Sequence, residues 1–84
     1  MILTEYEENI IEDIIREETN RDYIYDEQTL GGELGLYFFS YINIFSEIEL
    51  RLNILIKPEY AYFLEEEPWT TVGSFKRFIG NQDI

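Results

Sequence analysis

The chain has 84 residues, enough for one domain with a small core. It carries 18 Asp and Glu against 6 Lys and Arg, a net charge of -12, which excludes ordinary phosphate-backbone binding to nucleic acid and argues against anionic membrane surfaces. It has no Cys and no His, so disulfides, thiolate chemistry and imidazole catalysis or metal ligation are excluded.

At 45% hydrophobic and 17% aromatic, the chain is too apolar for simple disorder. Its apolar runs are too short to span a bilayer. The start, Met1-Ile2-Leu3-Thr4-Glu5, turns acidic at once, so no signal peptide is expected and a cytoplasmic protein is the default. The charge points to basic protein surfaces as partners.

In chain order, the first element reads as a helix opening at Thr4. Thr4-Glu5-Tyr6-Glu7 fits a capping box, and Tyr6, Ile10, Ile11, Ile14 and Ile15 form one apolar face. Glu5, Glu7 and Glu8 suit the positive end of the helix dipole. The pattern fades at Glu18-Thr19-Asn20. Residues 19–36 read as a long loop punctuated by Asn20, Asp22, Asp26 and Gly31-Gly32. It carries Tyr23, Ile24, Tyr25, Leu30, Leu34 and Leu36, so it is expected to lie over a core. Loops of this length are often functional.

Residues 37–56 carry two signals. A helix from Phe38 to Asn53 stacks Phe38, Tyr41, Ile42, Phe45, Ile48, Glu49 and Leu52 near one side. The stretch from Ile48 to Ile54 instead alternates with period 2, a strand signature. Periodicity leaves both open, and Pro58 closes the segment. Residues 59–66 predict a short helix with Tyr60, Phe63 and Leu64 inward, stopped at Glu65-Glu66-Glu67-Pro68. Thr70-Thr71 caps a last helix with Val72, Phe75, Phe78 and Ile79 at helical spacing. Lys76 and Arg77 suit its negative end, and Gly80 suits a left-handed stop.

This order of elements resembles the acyl carrier proteins and the related peptidyl carrier domains. The resemblance runs from about Thr4 to Ile79. It rests on Leu34-Gly35-Leu36 ending the long loop, on Ile42, Ile44, Glu47, Ile48, Glu49, Leu52, Ile54 and Ile56, and on Thr70-Thr71-Val72 followed by Phe75 and Ile79. It implies an all-α fold, a single domain over 1–84. That domain is an acyl-carrier-protein-like four-helix bundle with a long loop between the first and second helices, and residues 38–53 are helical.

The family's loop ends in a Leu-Gly-Leu-Asp-Ser-Leu type motif whose Ser carries phosphopantetheine. Here the aligned residue is Phe38, and the preceding Asp is replaced by Tyr37. The resemblance therefore implies a carrier fold without its attachment hydroxyl, acting by docking rather than by holding a thioester. Tyr37, Phe38 and Phe39 with Tyr41 are expected to form an exposed aromatic contact patch, with internal packing against the loop as the other reading. Glu47 and Glu49 correspond to acidic positions on the family's recognition helix, which docks on basic grooves. The patch would also permit a homodimer.

Two alternatives stand beside this. Ser40 is a second candidate for phosphopantetheine attachment. It lies two positions on, about 200° around and about 3 Å along the helix from Phe38, which places it on the wrong side and makes a solvated helix serine the plainer reading. The other alternative is an acidic inhibitor or immunity-type protein that blocks a basic active site, supported by charge alone. No catalytic constellation and no metal site are predicted. Glu65-Glu66-Glu67 matches no cation loop and reads as a solvated charge run, while Gly31-Gly32 and Gly35 lack phosphate-loop spacing and read as turn residues.

Overall fold

The computed structural model describes residues 2–57 and 59–82. The expected closing role of Pro58 lies outside these residues. The fold is all-α, with four helices among the described residues: α1 (Glu5–Thr19), α2 (Phe38–Leu52), α3 (Tyr60–Glu66) and α4 (Val72–Gly80). None of them is long and apolar enough to cross a membrane.

The capping box of α1 forms as its sequence requires. The Thr4 hydroxyl accepts the Glu7 amide at 3.1 Å, and the Glu7 carboxylate accepts the Thr4 amide at 2.9 Å. Ile11, Ile14 and Ile15 are buried, with Ile10 at the edge. Tyr6 does not join that face and is 74% exposed. At 100° per residue it sits about 130° from the centre of the buried isoleucine stripe, which corrects the wider face expected from the sequence. Asn20, with φ 57°, turns the chain out of α1, and its amide donates to the Arg16 carbonyl.

The long loop is covered by the entry to α4. The Leu30 amide donates to the Thr70 carbonyl at 2.8 Å, and Gly31 to Pro68 at 3.0 Å. In return Val72 donates to Gln28 and Gly73 to Asp26. An isolated antiparallel bridge joins Thr29 and Thr71. These bonds satisfy loop amides that a covered segment cannot leave to water. Ile24, Leu30, Leu34 and Leu36 point into the core, while Tyr23 and Tyr25 stay outside. Gly31 is required at this contact, because a Cβ there would sit 2.5 Å from that of Pro68.

Residues 38–52 are helical, which settles the ambiguous segment. Tyr41, Ile44, Phe45 and Ile48 are buried at helical spacing, and α2 packs on α1. Within the alternating stretch Leu50 is exposed, as is Leu55 just beyond it. Asn53, again with φ 57°, ends α2. In α3 the buried residues are Ala61 and Leu64, and Phe63 is half exposed rather than inward. A seven-residue helix offers one narrow stripe, and Ala61 allows the close approach that Phe63 was expected to fill. In α4 the Thr71 hydroxyl accepts the Ser74 amide at 3.2 Å. Phe75 stacks on Phe45 at 6.0 Å, and Phe78 meets Tyr60 edge to face at 5.1 Å. Gly80 lies within α4, and the cap residue Asn81 has φ -86°. The expected left-handed glycine stop is therefore not used.

Candidate functional site

The loop delivers its last residues to the start of α2 in a defined way. Gly35 takes φ 68°, a conformation in which glycine carries no Cβ penalty. On either side of it, the Leu34 amide donates to the Thr29 carbonyl at 3.0 Å, and the Leu36 amide to the Leu30 carbonyl at 2.9 Å. Both leucines are buried. Tyr37 is then the N-cap residue of α2 in extended conformation, with no side-chain cap hydrogen bond.

Burying Leu36 turns the next residues outward. Tyr37 is 58% and Phe39 67% exposed, and Phe38 is half-buried. Tyr37 and Phe39 meet edge to face at 6.3 Å, and Phe38 and Phe39 at 5.6 Å. Phe38 also lies against Tyr62 of α3 at 4.4 Å. Tyr62 is 61% exposed. Four rings thus form one surface across the start of α2 and the outer face of α3. Phe38 packs against Tyr62 of α3, while its neighbours Tyr37 and Phe39 face solvent.

Tyr62 was not among the residues singled out in the sequence. Its signal was indirect. With Ala61 and Leu64 inward, Tyr62 must point out, but its nearness to Phe38 depends on how α3 is docked.

The other expected residues fall elsewhere. Tyr41 is 1% exposed and belongs to the core, so it is removed from the surface patch. Its hydroxyl is buried with no hydrogen-bond partner among the described residues. Burial first, and then the Glu65 carboxylate of α3, push its pKa up to about 12. Ser40 is 5% exposed rather than solvated. It shares the inward face with Ile44, one helical turn on, so its hydroxyl is closed to a bulky attachment.

The two α2 carboxylates have partners within the chain. Glu47 accepts Arg51 Nε at 3.1 Å, and Arg51 reaches across to Glu17 of α1 at 3.0 Å. These groups border a cleft of about 360 Å³ between α1 and α2 that also takes in Glu18 and Asn43. Glu49 accepts the Ile56 amide at 2.7 Å, so it holds the connector that follows α2. Glu65, Glu66 and Glu67 are all exposed, as a solvated run would be.

A second cleft, of about 350 Å³, lies beside α4 and is bordered by Leu3, Glu8, Asp26, Lys76 and Arg77. Lys76 is buried there. It donates to Glu12 and, at 2.7 Å, to Asp26, with Glu8 at 3.9 Å. Burial works against the Lys76 ammonium, but its hydrogen bonds to Asp26 and Glu12 outweigh it and hold its pKa above the ordinary value. The cation is already compensated, so the cleft offers no free charge from Lys76.

No family model, curated protein or solved structure matches this chain.

Proposed function

We propose that this chain is an acyl-carrier-protein-like domain that acts by docking to a carrier-dependent enzyme and does not itself carry a thioester. The observation that carries this reading is the four-ring surface of Tyr37, Phe38, Phe39 and Tyr62. It occupies the place where the resemblance implies a phosphopantetheine serine. Burial of Ser40 supports it further, because the nearest alternative hydroxyl on α2 faces the core.

Exposed aromatic patches of this kind mark contact sites, and aromatic anchors dominate binding energy in many interfaces. Glu47 and Glu49 are engaged within the chain, so the aromatic rings supply most of the contact. The surrounding acid, chiefly Glu65 and Glu66 on α3, favours a partner whose docking surface is basic.

The test has two arms. The intact mass is measured after incubation with coenzyme A and a broad-specificity phosphopantetheinyl transferase, beside an ordinary carrier as control. No increase is expected, and a single-arm increase would overturn the proposal. In the second arm a photo-crosslinking residue replaces Phe39, Tyr62 or the remote Leu50 in the producing cell. A phosphopantetheine-dependent enzyme is expected from the first two sites and not from the third. Capture of a second copy of the chain instead would make the surface a homodimer contact.

A further inference from the structure

Helix α3 is weakly secured by every local criterion. Its seven residues fall below the length at which a helix persists alone. It has no side-chain cap at its start, no acid in its first turn and no base in its last. Its inward contacts are Ala61 and Leu64, with Tyr60 against Phe78 at one edge. Tyr62, Phe63, Glu65 and Glu66 all lie outside. Its entry is fixed by the Glu49 carboxylate through the Ile56 amide, beyond the end of α2.

Beneath it lies a group that the closed arrangement does not satisfy. Tyr41 follows Phe38 by three residues on α2, and Glu65 follows Tyr62 by three on α3. Helices α2 and α3 pack on each other, with the Phe38–Tyr62 contact on their seam, and the Glu65 carboxylate lies close enough to Tyr41 to act on its hydroxyl. The Tyr41 hydroxyl is buried there with no hydrogen-bond partner among the described residues. A hydroxyl withdrawn from water without a partner opposes the packing that withdraws it.

We propose that α3 is a latch that lifts from α2 as a unit while α1, α2 and α4 stay folded, and that the orphan Tyr41 hydroxyl sets how readily it lifts. In the lifted state water reaches Tyr41. The Phe38–Tyr62 contact is broken, so the four-ring surface exists only when the latch is closed. Local openings of this kind occur where few apolar contacts secure a segment. The inference does not depend on the docking reading, since it concerns the seam and not what covers it.

Native-state hydrogen exchange tests it on the intact chain. The amides of residues 64–67 are expected to exchange through an opening with a smaller denaturant dependence than global unfolding, and faster than the core amides of α1 and α2. Tyr41→Phe removes the orphan hydroxyl and keeps the ring. It is expected to slow exchange at 64–67 on the order of tenfold, because the hydroxyl's hydration no longer rewards opening. Ile15→Val, in the α1 core, serves as the second variant. It should speed the globally exchanging amides and leave the α3 opening unchanged. If 64–67 exchange only with the global core, there is no latch. If Tyr41→Phe leaves their opening unchanged or speeds it, the hydroxyl does not control it.

Discussion

Lys76 is the side chain on which three separate parts of the chain converge. Its ammonium ties α4 to Glu12 of α1 and to Asp26 of the long loop. Those partners lie 64 and 50 residues away along the chain. A buried cation with two carboxylates is strongly missed when removed, because the carboxylates are left facing each other. Asp26 is half exposed, which softens the effect. Lys76→Met is therefore expected to lower stability at pH 7 by about 2 kcal/mol, read from a urea unfolding midpoint. An unchanged midpoint would show that the hub contributes nothing. The pH dependence has a definite sign. The folded-state pKa of Lys76 is raised, so its contribution is complete below the ordinary value of 10.5 and is lost as pH rises through the folded value. Tyr41 acts in the same direction, because its pKa of about 12 makes ionisation easier once the chain unfolds. The Met variant should keep only the Tyr41 part of the alkaline loss.

At the scale of the element, α1 and α2 are secured in opposite ways. Both have 15 residues. The first has a reciprocal capping box and three acids in its first turn, while the second starts at an aromatic cap residue with no acid in its first turn. Packing of Tyr41, Ile44, Phe45 and Ile48 holds α2 in place of local signals. Restoring the cap isolates that difference. Tyr37→Asp should raise stability by about 1 kcal/mol, since Asp is among the best N-cap residues and Tyr37 lends only an exposed edge contact to Phe39. The same change removes one ring of the docking surface, so crosslinking yield from Phe39 should fall as the thermal midpoint rises. A fall in both would show that Tyr37 matters more to the folded loop than its exposure implies.

For the molecule as a whole, charge is the unbalanced term. Eighteen acids face six bases within a radius of gyration of 11.4 Å. At about 0.01 M salt the screening length is roughly 30 Å, so repulsion acts across the entire fold. Of the bases, Arg16, Arg51 and Lys76 are committed to internal pairs with acids. Raising salt from about 0.01 to about 0.3 M should therefore stabilise the fold, on the order of 1 kcal/mol, although it also weakens those pairs. Urea unfolding at the two ionic strengths measures the balance. A lower midpoint at high salt would mean that the paired bases, and not the excess acids, dominate.

Short-range patterns were enough to read much of this architecture. The Thr4–Glu7 capping box, the isoleucine stripe of α1 and the Thr71 cap of α4 depend on residues three or four apart, and such spacings translate directly into helix geometry. The aromatic run at 37–39 was visible for the same reason. Contacts between distant segments were not legible in this way. Whether Ile48 to Ile54 formed helix or strand depended on the rest of the bundle being present to receive Tyr41, Ile44 and Ile48. Ser40 and Tyr41 turned inward, and Glu49 was drawn to the Ile56 amide, because of how α2 is rotated in the bundle. Tyr62 joined the surface and Lys76 became a hub through contacts spanning 24 to 64 residues. Such contacts leave no periodicity along a chain, because they arise only when separate helices are packed together.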